Sequence, residues 1–257
     1  MLTDTHCHLA APELFFRLPD ILAAAAEAGV KHFIVPSASP TDWPRIVEVS
    51  AISAVRSVAF GIHPWFSATC SLNDDLHRLD TLLSCHPTAL VGEIGLDFHP
   101  KHISVVSREQ QTAVFTAQLS LAKKYRRPII LHSLKSTDAV IRSIHATGFG
   151  CGGFVHAFSG SLEEAFLLIR HGFCIGIGNL LTNLKAKKIR HATVGLPLEH
   201  LVLETDSPYG MFENTNTPDR LMQIAVTAAE LRGITQEQLA IQCEKNICRV
   251  LSSPSQF

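Results

Sequence analysis

Pro128-Ile129-Ile130-Leu131-His132-Ser133 is a short apolar run that ends on a reactive side chain, and a helical pattern from Ser136 to Thr147 follows it. Three apolar residues and a histidine bounded by Pro and Ser read as a buried strand, and the next segment reads as a helix. The same unit recurs along the chain. Leu2–His8 ends on His6 and His8, Ala89–Ile94 carries Glu93, Gly153–His156 ends on His156, and Leu201–Glu204 runs into Asp206. Three further strands are expected at Phe33–Val35, Ser57–Ile62 and Phe173–Ile177. Helical patterns fall between them at Pro19–Gly29, from Thr41-Asp42 toward Val55, and at Leu72–Cys85, Ser107–Tyr125, Leu162–His171 and about Leu184–Ala192. Two more, Arg220–Arg232 and Gln236–Leu251, close the chain. Strands alternating with helices imply parallel pairing. The spacing predicts a (β/α)₈ barrel, in which the C-terminal strand ends meet on one face and build the active site. An open, doubly wound sheet is the alternative. Reactive residues on most strand ends favour closure.

Length and composition agree. At 257 residues the chain matches one such barrel, of roughly 250 residues. No linker, repeat or low-complexity tract divides it, so a single domain over residues 1–257 is expected. With 46% hydrophobic residues it can build a large core, and its net charge of -1 lacks the basic excess of proteins that coat long nucleic acid. The first residues carry neither the basic nor the apolar region of a secretory leader, and no apolar run reaches the roughly 18 residues of a membrane span. Seven scattered cysteines without a Cys-x-x-Cys pair suit a reducing cytoplasm. Nothing calls for a membrane or an obligate protein partner.

The strand-end residues are of metal-binding type. Side chains alternate along a strand, so His6 and His8 face one way and Cys7 the other. Such a pair suits zinc, iron or manganese, while magnesium prefers oxygen ligands. Alone it is weak in a chain with 14 histidines. Glu93 is flanked by glycines and apolar residues, which predicts burial, and a buried carboxylate must be paired or metal-bound. Taken singly, His132 and His156 could be hydrogen-bonded core histidines, and Asp206 a turn or cap residue. The repeated strand-end placement argues against accident. His6, His8, Glu93 and Asp206 could hold one cation, and Glu93, His132 and His156 a second. Two such cations can activate water and neutralise charge on a hydrolysed phosphate or carbonyl.

At this point the chain resembles the TatD-like deoxyribonuclease family of the amidohydrolase superfamily. The matching stretches are Asp4–His8, Gly61-Ile62-His63-Pro64, Gly92–Asp97, Gln118–Ala122, Pro128–Ser133, His156–Gly160 and Glu204–Pro208. The resemblance implies a distorted (β/α)₈ barrel with one or two divalent cations (zinc, manganese, magnesium or iron) held by His6, His8, Glu93, His132, His156 and Asp206. It implies hydrolysis, best known as trimming of DNA from the 3′ end, so DNA ends or short oligonucleotides are the expected substrates. His63 would contact phosphate; otherwise it is a turn residue before Pro64. Asp206 is expected as the general base, with Glu204 orienting it or a histidine. The chain departs from the family over residues 209–218, which keep Asn216 and Pro218 but lack the usual basic residue and have Thr217 in place of Glu. That weakens phosphate recognition and favours an ester or amide hydrolase, for example of aminoacyl-tRNA esters, as a second reading. A non-catalytic, partner-binding barrel is a third, opposed by the complete ligand set. Basic residues at Lys123, Lys124, Arg126 and Arg127 belong to the face opposite the site and read as a helix terminus. Lys185, Lys187, Lys188 and Arg190, nearer the mouth, could guide a strand or simply be solvated.

Overall fold

The structure is a computed structural model, and it describes residues 1–210 and 215–252. Eight parallel strands pair in sequence order: β1 Leu2–Asp4, β2 Val30–Pro36, β3 Val55–Phe60, β4 Leu90–Asp97, β5 Ile129–Leu134, β6 Gly153–His156, β7 Phe173–Ile177 and β8 Leu201–Leu203. Among the described residues, eleven α-helices alternate with them or follow: α1 Pro12–Phe15, α2 Leu18–Glu27, α3 Trp43–Val49, α4 Leu72–Cys85, α5 Pro100–Ile103, α6 Arg108–Tyr125, α7 Thr137–Thr147, α8 Leu162–Ile169, α9 Lys187–Gly195, α10 Leu221–Arg232 and α11 Gln236–Ser252. This is the expected (β/α)₈ barrel, nearly closed.

The two edges of the sheet meet just beyond β1 and β8. Thr5 N–H donates to Leu203 O at 3.1 Å, Asp206 N–H to His6 O at 2.9 Å and His8 N–H to Ser207 O at 2.7 Å. The buried Asp4 carboxylate accepts from Thr205 N–H at 3.0 Å, the Thr205 hydroxyl at 2.6 Å and His6 N–H at 3.2 Å. The seam of the barrel is therefore made by the segments that carry His6, His8 and Asp206.

Barrel interior and exterior have separate cores. Ile34, Ala59, Leu90, Ile130, Phe154, Cys174 and Val202 form a cluster drawn from seven successive strands, and Ile247 and Val250 of α11 complete it. A second, larger cluster packs the outer strand faces against the helices. Because strand side chains alternate, the residue two positions beyond an inward one also points inward. Ile130 thus leads to His132, Phe154 to His156 and Val202 to Glu204. The lumen is apolar at its N-terminal end, where α11 closes it, and polar at its C-terminal end. Ile247 is fully buried in this stopper. Ile247→Ala should cost about 2–5 kcal/mol, the range for removing a buried Ile side chain. Urea unfolding would read this as a lowered midpoint at unchanged slope.

Three expectations need correction. The first strand ends at Asp4 rather than His8, because the Asp4 side chain, not a neighbouring strand, takes the His6 N–H. The helix expected from Thr41-Asp42 toward Val55 spans only Trp43–Val49, and β3 already begins at Val55. Asp42 stands at the N-cap of that helix, but its side chain makes no capping bond to it; its Oδ2 accepts from Ala38 and Ser39 N–H instead. The weak helix near Leu184–Ala192 lies at Lys187–Gly195, after a 3₁₀ turn at Asn179–Thr182.

Candidate metal centre

At the C-terminal mouth, five imidazoles converge on the Glu93 carboxylate. Glu93 lies in β4 where the pairing register with β5 shifts between Val91 and Ile94, which breaks the simple alternation and lets it face inward. Gly95, two residues on, permits β4 and β5 to touch: a β-carbon there would collide with the His132 carbonyl. Glu93 Oε2 lies 3.2 Å from His6 Nε2 and 3.6 Å from His8 Nε2. Its Oε1 lies 3.0 Å from His132 Nδ1, 3.5 Å from His63 Nε2 and 3.8 Å from His156 Nε2. Asp206 Oδ1 faces the same spot, 3.6 Å from His8 Nε2, 3.7 Å from His156 Nε2 and 3.8 Å from His6 Nε2. The left-handed φ of +61° at Asp206 turns the chain sharply there, a conformation Asp tolerates better than most residues.

The six strand-end residues thus meet in space, and His63 joins them. The compact groups among the described residues are His6–His8–Glu93, His6–His156–Asp206 and His63–Glu93–His132. His156 reaches both Glu93 and Asp206, while His63 stands at ligand-like distance beside His132. His6 and His8 present their Nε2 atoms to each other at 3.0 Å. Two ring nitrogens so placed share at most one proton, and two carboxylate oxygens face them as well. A donor set of this kind fits a divalent cation.

Electrostatics favour unprotonated ligands at several positions. Burial alone would raise the Glu93 carboxyl, but the imidazole of His156 above all outweighs it and holds it well below the usual range. Burial pushes His63 down to about 3 and lowers His6 as well, so both rings are neutral. Burial pushes Asp4 up to about 7, against its hydrogen bonds from Thr205 and His6.

A surrounding shell orients the rings. Glu204 Oε1 lies 2.9 Å from His156 Nδ1 and accepts from Ala157 N–H at 2.5 Å. The His156 contact is an ion pair rather than a well-aligned hydrogen bond, since His156 Nδ1 lacks a partner of proper angle. Asp97 Oδ2 lies 3.2 Å from His132 Nε2 and 2.7 Å from His102 Nδ1, and accepts from Trp65 Nε1 at 2.8 Å. Sequence reasoning quoted Asp4 and Asp97 within motifs but gave them no role, and passed over Trp65 and His102. Asp97 could have been found as the polar end of a strand longer than expected. His102 sits in the four-residue α5 and leaves no periodic trace.

The cluster opens into a cavity of about 230 Å³ lined by His8, Ala38, His63, Trp65, Phe66, Glu93, His132, His156, Asp206 and Tyr209. A larger depression of about 480 Å³ lies at the other end of the barrel, beside Arg56, Arg126 and Arg127. Its lining holds no carboxylate or imidazole, so the smaller cavity is the one with chemistry.

Comparison with known proteins agrees with this geometry. Residues 3–252 match the family model described as "TatD related DNase". The chain belongs to that family. An Escherichia coli K12 protein named as the uncharacterized metal-dependent hydrolase YjjV is 32% identical, with 98% of each chain covered. The crystal structure of the E. coli YjjV protein, described as a TatD homologue, superposes with a TM-score of 0.90 at 31% identity over 98% of both chains. A Danio rerio protein named "Putative deoxyribonuclease tatdn3" is 29% identical over 97% of this chain and 95% of its own. The protein is a TatD-family metal-dependent hydrolase.

Within this TatD-family chain the divergent 209–218 segment is anchored to the site. Asn216 is fully buried and its Nδ2 donates to Thr205 O at 2.7 Å and Tyr209 O at 2.8 Å, tying the loop to the turn that bears Asp206. Residues 211–214 of that segment lie outside the described residues. The basic groups divide as their positions suggest. Lys123 donates to Thr147 O at 2.8 Å and Lys124 pairs with Asp80 at 2.6 Å, both on the outer helices. Lys185, Lys187 and Lys188 are exposed, and Arg190 donates to Leu181 O at 3.0 Å. All seven cysteines are free, and no described helix is long and apolar enough to cross a membrane.

Proposed function

We propose that the protein is a divalent-metal-dependent phosphodiesterase that removes nucleotides from the 3′ end of DNA or short oligonucleotides. The whole chain, residues 1–257, acts as one unit, in the cytoplasm. The observation that carries the reading is the placement of Glu93, whose two oxygens face two different sets of imidazoles. His6, His8, Glu93 and Asp206 would hold one cation, and Glu93, His132 and His156 the other, with zinc, manganese, iron or magnesium as candidates. Cations bound there would lower the pKa of water and neutralise charge on a phosphate oxygen.

The side chains do the rest. Asp206 is the most exposed carboxylate of the cluster, at 24% of its side chain, and stands at the cavity wall. Its carboxylate takes the proton of the attacking water. Glu204 and Asp97 fix the rings of His156 and His132 through the ring nitrogens that face them. His63, kept neutral by burial, offers Nε2 toward the same space. It stays available to the phosphate.

One observation favours the second reading, hydrolysis of an ester or amide such as an aminoacyl-tRNA ester. The cavity lining contains no Lys or Arg among the described residues, so no fixed cation awaits a phosphate. A panel of 5′-labelled single-stranded oligonucleotides, dinucleotides and aminoacyl or simple esters, each with added manganese, separates the two. Stepwise shortening from the 3′ end is expected. Ester cleavage with intact oligonucleotides would replace the proposal with the second reading.

A further inference from the structure

Trp65 combines exposure with rigidity. The residue is 49% exposed at the cavity wall, yet its Nε1 donates at 2.8 Å to Asp97, a residue with no exposure at all. The His102 ring lies 4.4 Å from the indole, tilted by 50°, and His63 meets it edge-on at 4.9 Å. The 3₁₀ turn Pro64–Phe66 that carries it is held by His63 Nδ1, which accepts from Trp65 N–H at 3.2 Å. An aromatic side chain that faces water at the entrance to a reactive cleft, and cannot swing away, is a prepared stacking surface. Phe66, 38% exposed, and Tyr209, 46% exposed, line the same cavity, and Tyr209 packs edge-on against His8 at 5.1 Å.

Size and charge decide what rests there. Pockets that engulf a drug-sized ligand run to about 300–1,000 Å³. At about 230 Å³ the cavity admits the reacting group and leaves its neighbour at the mouth. No Lys or Arg lines it among the described residues, so the neighbour is gripped through a π-face and not through a second phosphate. We propose that Trp65 is a substrate-binding residue that stacks on the nucleobase adjoining the scissile bond, and so makes a terminal base part of what the enzyme recognises. This rests on the phosphodiesterase reading and adds a base seat to it.

The test compares an oligonucleotide ending in a 3′ adenosine with the same strand ending in an abasic residue, on the zinc-loaded enzyme. Wild type is expected to prefer the base-bearing end by about tenfold or more in kcat/KM, the usual scale of one base-on-aromatic stack. Trp65→Ala should bring that ratio close to one, chiefly through KM, and Trp65→Phe should restore most of it. A direct readout does not need turnover. Trp43, the other tryptophan, is buried, so the long-wavelength emission belongs to Trp65. A dinucleotide with a non-hydrolysable methylene-phosphonate linkage should quench it, and its abasic counterpart should not. Quenching by the base-bearing probe in an enzyme that cuts no phosphodiester would uphold the seat and remove the phosphodiesterase reading. Cleavage with no base preference and no quenching would overturn the seat and leave that reading standing. An equal loss on both substrates in Trp65→Ala, unrescued by Phe, would reduce Trp65 to support for Asp97 and also overturn it.

Discussion

Asp206→Asn should lower turnover by about 10²–10⁴-fold, the usual contribution of a positioned general base, and leave the fold in place. The change swaps one oxygen for an amide of nearly equal size, so packing is kept. The turn that bears residue 206 is held by main-chain bonds, Asp206 N–H to His6 O and Tyr209 N–H to Asp206 O, which the substitution does not touch. Asn also tolerates the left-handed φ found there. The carboxylate is held ionised in the native protein: burial works against it, but His156, His8 and His6 lower its pKa. Asn can accept a hydrogen bond but cannot take a proton. Single-turnover rates combined with elemental analysis check this, and a variant with full activity at normal metal content would remove Asp206 from the base role.

A second large effect is expected at Glu93. Among the described residues, this carboxylate is the one group within 3.8 Å of His6, His8, His63, His132 and His156 alike. Glu93→Gln keeps the volume but removes the charge between both ligand sets. Metal content should fall to near zero at both positions and activity should disappear. Heat unfolding supplies a signal independent of activity. A cation present at 100 times its Kd stabilises the native state by about 2.7 kcal/mol, so the wild-type Tm should rise on adding zinc and fall with chelator. The Tm of Glu93→Gln should ignore both. His132→Ala makes the contrast: it should lose the cation on its own side and keep the one bounded by His6 and His8. A Glu93→Gln variant that retained a full complement of metal would end the bridging role.

Much of this was legible because a parallel barrel writes its order into the chain. Ile129, Ile130 and Leu131 in β5, Phe154 and Val155 in β6, and Phe173–Ile177 are buried on both faces, so they appear as short apolar runs between turn residues. The two-residue alternation that makes Ile130 and Phe154 fill the lumen carries His132 and His156 into the site. Where alternation fails, the sequence is a poorer guide. Glu93 faces inward only through the register shift in β4, and the segment from Thr5 to His8 leaves the ladder because Asp4 intercepts a backbone N–H. The Asp97–His102–Trp65 network joins residues from β4, a short helix and the loop after β3. No period links them, and only the folded chain brings them to one oxygen. The cavity wall also depends on Tyr209, which Asn216 anchors from the divergent loop.

The stopper made by Ile247 and Val250 turns the barrel into a blind well. With seven side chains filling the bore beneath the imidazoles, no polymer can thread through and leave by the far side. On the phosphodiesterase reading, a cut fragment would have to back out through the opening by which it came, past the same indole, so its departure and the arrival of the next end would compete for one doorway.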